Sequence, residues 1–271
     1  MESPAPSYDQ HRLSKLKAFS EKYEVSHDNV IKLRQLEDFD TVIICDDSGS
    51  MLTTIDDNTT VSANAFAAKT TRWDILRRIV TIVVEASTAL DKNGVDIYFL
   101  NRPPLLGTWD VNQITEAFQF PPQGYTPTIR VMQQVLASKA DVLKERKLLV
   151  ILATDGRPTD DLGNDQAPQF PAFIKSKPGS LYLSIVACTD DDQAVNFLDE
   201  LMEMKIPNVD VTEDYKAECA EVKSANGPSY PFSFGDYICK IMLGSVDDSF
   251  GDKALGLIGA PPKNSGCCMI S

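Results

Sequence analysis

The sequence predicts an α/β domain: a mainly parallel sheet covered by helices on both faces. Three observations predict it. Short apolar runs of strand length, Val42 to Cys45, Val95 to Leu100, Leu148 to Ala153 and Leu181 to Ala187, alternate with segments whose apolar residues recur at helical spacing. The intervening stretches are long enough for the helical crossovers that join parallel strands. Two of the runs end in turns rich in acids and hydroxyls, and open α/β sheets bind ligands at the carboxyl ends of their strands.

Met1 to Gln10 carries early breakers, Ser3, Pro4 and Pro6, and is expected to be disordered. Leu13, Leu16 and Phe19 fall at helical spacing within His11 to Lys22. Val30, Ile31 and Leu33 are the apolar members of a turn or helix over Asp28 to Leu36, with Ser26 or Asp28 as cap. Residues 1–38 are too few for a core of their own and are expected to pack on the edge of the domain, with a partner-binding arm as the alternative; the domain is placed at 39–250. Leu52 to Thr71, polar and aperiodic, reads as a surface insertion or a specificity loop. Trp73, Leu76, Ile79, Val80, Val83, Val84 and Leu90 predict a helix, opened by a Thr71–Asp74 capping box and stopped at Asn93-Gly94.

Strand Val95 to Leu100 leads into turn-rich Asn101 to Gly107, a short helix over Asp110 to Phe118, and Pro121-Pro122-Gln123-Gly124. Thr126-Pro127-Thr128 opens a helix to about Lys139, with Val131, Val135 and Leu136 inward and Pro127 suited to its first turn. After strand Leu148 to Ala153 come an acid-dense loop, Pro158 to Gln166, and a helical turn over Pro168 to Lys175. Strand Leu181 to Ala187, helix Ala194 to Met204, short edge strand Val209 to Thr212 and a last helix, Phe234 to Leu243, complete the domain. Asp190-Asp191-Asp192 is read as a helix start favoured by the field at the first turn, rather than as a metal cluster.

A length of 271 residues suits one such domain with two short extensions. The net charge of -13 argues against nucleic acid as a partner and against passive adhesion to anionic lipid. Neither a run of about eighteen apolar residues nor a basic-then-apolar leader occurs, so secretion by the usual route is not expected. Six cysteines, at 45, 188, 219, 239, 267 and 268, show no C-x-x-C spacing and are expected as thiols in a reducing interior.

The chemistry centres on Asp46-Asp47-Ser48-Gly49-Ser50, directly after the first strand. Asp46, Ser48 and Ser50 place oxygen at alternate positions, a donor type that suits Mg2+ first and Mn2+ next. The same residues are also ordinary turn formers. Two further stretches favour a metal: Thr154-Asp155-Gly156 closing another strand, and Gly124-Tyr125-Thr126-Pro127-Thr128 between the two. With the strands as parallel neighbours, Asp155 and Thr126 can join the first three around one ion.

The set Asp46, Ser48, Ser50, Thr126 and Asp155 resembles the metal-ion-dependent adhesion site of von Willebrand factor A domains, as found in integrins and copines. The resemblance spans roughly Phe39 to Val246 and is nearest to intracellular A domains of fungi and protists, through Val42 to Met51, Val95 to Asn101 and Thr154 to Asp161. It implies a Rossmann-like, doubly wound fold, hydroxyls bound directly to the ion, carboxylates often acting through water, and an open position for a partner's glutamate or aspartate. It also implies, in some members, movement of the last helix when the site closes.

Catalysis is not expected. The only histidines, His11 and His27, precede the domain, and no phosphate-binding G-x-x-x-x-G-K-[ST] loop occurs. A phosphatase with Asp46 as nucleophile would need an acid two positions on, where Ser48 stands. The expected role is a monomeric, Mg2+-dependent protein-binding module; a scaffold with a structural metal is the alternative. Residues 251–271 end in Cys268-Met269-Ile270-Ser271, a C-a-a-X pattern that favours a farnesyl group on Cys268, with Cys267 as a palmitoylation candidate. The expected location is therefore the cytoplasmic face of a membrane.

Overall fold

A computed structural model of the chain describes residues 8–55, 70–90, 94–189 and 191–250. Its centre is a six-stranded sheet in the order β3-β2-β1-β4-β5-β6, made of β1 (Phe39–Cys45), β2 (Val95–Phe99), β3 (Leu105–Thr108), β4 (Lys147–Thr154), β5 (Leu181–Ala187) and β6 (Val209–Thr212). All pairings are parallel except β2 with β3. The four central strands are almost wholly buried, as their apolar runs require.

Alternate strand residues feed two cores. Ile43, Cys45, Ile97, Leu149 and Ile151 face α1 (Tyr8–Tyr23), α2 (His27–Leu33), α3 (Arg72–Leu90), α4 (Val111–Phe118), α9 (Tyr215–Asn226) and α10 (Phe234–Leu243). Val42, Ile44, Leu148, Val150 and Leu152 face α5 (Thr128–Ser138), α7 (Phe170–Lys175) and α8 (Asp192–Glu203), with α6 (Val142–Glu145) flanking them.

Several expectations are met in detail. Thr71 and Asp74 bond each other's backbone N–H at 3.2 and 3.0 Å as a capping box. Ser26 caps α2. Asp191 accepts from the Ala194 N–H at 3.2 Å, which explains the acid at the start of α8.

Others need correction. Leu13 and Ile31, apolar members of the expected helices, are half exposed. Residues 101–107 are not turn throughout, because Leu105 to Thr108 forms the antiparallel edge strand β3. The N-terminal helices pack on the domain through Leu16, Phe19, Val25, Leu33 and Leu36, which belong to the core beneath α3 and α10. Asp236 of α10 accepts from Ser26 N and Asn29 Nδ2 at 3.0 and 2.8 Å, tying the last helix to α2.

The expectation of disorder over 1–10 falls largely outside the described residues, as do most of the Leu52 to Thr71 stretch, Asn93 and the whole tail with Cys267 and Cys268. Among the described residues no helix is long and apolar enough to cross a membrane.

Candidate metal centre

Strand order places β1 beside β4, where sequential order reverses, and such a switch point opens a crevice at the carboxyl ends of the strands. The register runs from Phe39 against Lys147 to Cys45 against Ala153, so Asp46 and Asp155 leave the sheet side by side. Asp46 N donates to Ala153 O at 2.9 Å and extends the ladder by one bond.

Four of the five expected residues meet directly. Ser48 Oγ lies 3.0 Å from Ser50 Oγ, and Ser50 Oγ donates to Asp155 Oδ1 at 2.9 Å. Asp46 Oδ1 accepts from Ser48 N at 2.9 Å and Asp46 Oδ2 from Thr154 Oγ1 at 2.7 Å. Thr126 is tied to their loops through backbone bonds. Its N–H donates to Thr159 Oγ1 at 3.0 Å, its carbonyl accepts from Thr159 N at 2.8 Å, and the neighbouring Gly124 carbonyl accepts from Gly49 N at 3.2 Å. The loop of Thr126 is thus stitched both to the Asp46 loop and to the loop after β4.

Asp46, Ser48, Thr126 and Asp155 are buried, while Gly49 and Ser50 are exposed, so the cluster opens to solvent at one point. Burial, and then the charge of Asp155, pushes the Asp46 carboxyl up to about 6. Burial also raises the neighbouring thiols of Cys45 and Cys188, which stay protonated as core residues. Cys45, Cys188, Cys219 and Cys239 are all free.

The donor set fits a hard divalent cation. Two buried carboxylates repel each other beside three hydroxyl-bearing residues, which is a surplus of oxygen and of negative charge. Among the described residues no group of three or more His, Cys, Asp and Glu forms. Any ion held here would draw on the hydroxyls of Ser48, Ser50 and Thr126 as well as on Asp46 and Asp155.

Residues outside the expected set shape the site. Asp47, wholly buried, accepts from Asn101 N at 2.8 Å and from Arg102 Nε at 2.6 Å. Arg102 also reaches the carbonyls of Ala117 and Pro121 at 3.1 and 3.3 Å, so one guanidinium clamps the floor of the rim. Gly124 has φ +102°, and a Cβ there would lie 2.6 Å from Asn101 Oδ1. Arg72, the first residue of α3, donates to Asp155 Oδ2 at 3.0 Å with both side chains buried. Adjacency to Asp46 was the sole sequence signal for Asp47; Arg72 and Arg102 carried none. Neither protein-family models nor curated protein sequences give a match to this chain.

Proposed function

We propose that residues 39–250 are a von Willebrand factor A-type domain in which Asp46, Ser48, Ser50, Thr126 and Asp155 form a metal-ion-dependent adhesion site for Mg2+ or Mn2+. Its role is metal-dependent protein binding rather than catalysis. The observation that carries this reading is the convergence of the loops after β1, before α5 and after β4 on one solvent-facing cluster at the sheet's switch point. A bound divalent cation supplies a position that accepts a carboxylate oxygen from a partner. Ser48, Ser50 and Thr126 offer neutral oxygens that do not neutralise that cation, while Asp46 and Asp155 anchor it.

A protein partner, rather than a small anion, is supported by apolar side chains on the same loops. Leu52, Phe120, Tyr125 and Leu162 are each more than half exposed. The Tyr125 ring lies over Gly163, where an added Cβ would come within 2.7 Å of it, so two of these residues sit together. An acidic side chain flanked by apolar residues matches such a rim. The test is capture of partners on the immobilised protein with and without chelator, with Asp155→Ala as control. Chelator-sensitive capture lost in the variant supports the reading; capture unchanged by either overturns it in favour of a scaffold.

The tail supports a second, separable proposal: a farnesyl group on Cys268, with palmitate on Cys267, holds the protein at the cytoplasmic face of a membrane. Intact mass of protein from its native cell tests it, and an unmodified Ser271 terminus would overturn it.

A further inference from the structure

We infer that Asp47, Asn101 and Arg102 form a positioning unit for the metal centre, acting on the ion through the place they give Thr126. This rests on the adhesion-site reading and adds three residues outside its five-residue set. Asp46 and Asp155 continue directly from the ends of β1 and β4, and Ser48 and Ser50 follow Asp46 closely. Thr126 instead comes at the end of residues 119–125, which belong to neither helix nor strand. Such a segment takes its shape from bonds to its surroundings, and the three residues supply them along its length.

Asp47 is the hub. Wholly buried, its carboxylate accepts from Asn101 N, Asn101 Nδ2 and Arg102 Nε at 2.8, 3.2 and 2.6 Å. Its backbone carbonyl accepts from Gln123 N at 2.7 Å. Asn101 Nδ2 also donates at 2.8 Å to Tyr125 O, the carbonyl of the peptide bond that leads into Thr126. The Arg102 guanidinium donates to Ala117 O, Phe120 O and Pro121 O at 3.1, 3.5 and 3.3 Å, and it lies 5.3 Å from the ring centroids of Trp73 and Phe99. The chain leading to Thr126 is thus held at 117, 120, 121, 123 and 125 on a frame built around one buried carboxylate.

Metal affinity requires each ligand to be held to within about 0.5 Å. Partners outside the ligand set that fix a ligand carry roughly ten- to a hundredfold in affinity. At position 102 placement and charge are separable. The planar fork of the arginine reaches several carbonyls at once, whereas a lysine would keep the positive charge beside Asp47 and lose the fork.

The test is calorimetric titration of Mn2+ into the full chain for wild type, Arg102→Lys, Thr126→Val and the double variant. Arg102→Lys is expected to bind Mn2+ about tenfold more weakly than wild type, although no charge has changed. Thr126→Val, which replaces the hydroxyl by a methyl, is expected to weaken binding by at least as much. In the double variant the two losses should not multiply, because the placement of residue 126 stops mattering once its oxygen is gone. Wild-type affinity in folded Arg102→Lys overturns the positioning role, as do losses that multiply in the double variant or a Thr126→Val protein that binds as wild type does. Where Thr126→Val leaves no uptake to measure, hydrogen exchange of ion-free Arg102→Lys decides. Faster exchange confined to 117–126 supports the role, and exchange unchanged or raised across the domain overturns it. If Arg102→Lys does not fold, Asn101→Ala, which keeps the Asp47–Arg102 pair, takes its place in the same comparison. No Mn2+ uptake by folded wild type overturns the metal centre itself, which separates the two failures.

Discussion

Replacing Asp46 by asparagine is expected to stabilise the ion-free protein at neutral pH, although Asp46 is the first residue of the proposed metal set. Its carboxyl is wholly buried and its pKa stands at about 6. The unfolded chain places the same group near ~3.9. With the folded value above the unfolded one, the folded state holds the extra proton in between. The stabilising contribution is therefore full below about pH 4, and it is lost as pH climbs through about 6. Roughly two pH units at ~1.36 kcal/mol each give about 3 kcal/mol. Asparagine has the same shape, accepts from Ser48 N, and offers its amide to the Thr154 hydroxyl that now donates to Asp46. Urea denaturation in EDTA, at about pH 4.5 and about pH 7.5, measures the effect. Glu213 and Glu218, which burial also raises, lie outside the site and cancel from the difference between the two proteins. The variant should gain about 2 kcal/mol over wild type between the two pH values, because about 1 kcal/mol of the total is already lost at about pH 4.5, and Mg2+ should then stabilise wild type far more than the variant. A variant no more stable than wild type at about pH 7.5 in EDTA would refute the reasoning.

Arg102→Ala should cost about 3–5 kcal/mol in urea denaturation, because it strands the buried Asp47 charge and frees the Ala117 and Pro121 carbonyls; a loss under about 1 kcal/mol would contradict the clamp. Gly124→Ala, strained at φ +102° and set against Asn101, should weaken Mn2+ binding by displacing the Thr126 loop, as read by titration, with unchanged affinity as the contrary result. Lys240 pairs with Glu218 in the core beneath α10, and Glu218 is raised by burial while Lys240 pulls it back down. In Lys240→Met the Glu218 pKa should therefore rise further. The stability penalty should be small below about pH 4, where Glu218 is neutral in both states, and should grow to about 3–5 kcal/mol at neutral pH. A penalty that does not change with pH would contradict this assignment.

The parts of the fold that bury continuous apolar runs were readable from the sequence. Val42 to Cys45, Leu148 to Ala153 and Leu181 to Ala187 have no stable place except between two helical layers. Strand β3 was not readable, because Leu105 to Thr108 is four residues long and contains a glycine. Helix α9 was missed for a related reason: it is mostly polar, and its buried members are Val222 and a glutamate, Glu218, that the distant Lys240 and the Glu213 N–H make tolerable. At the metal centre, residue types in a fixed order exposed the candidate donors, since oxygen donors after a buried strand are a local pattern. The arginines that hold Asp47 and Asp155 lie 55 and 83 residues away in sequence and become partners only once the sheet order brings their elements together.

The most direct test of the central claim is titration of Mg2+ or Mn2+ into the folded full chain, with wild type and Asp155→Ala compared. One oxygen-liganded site filled at millimolar ion or below, lost in Asp155→Ala while the variant stays folded, is the predicted result. Absence of uptake by folded wild type at millimolar ion, or uptake that Asp155→Ala leaves unchanged, would contradict the account.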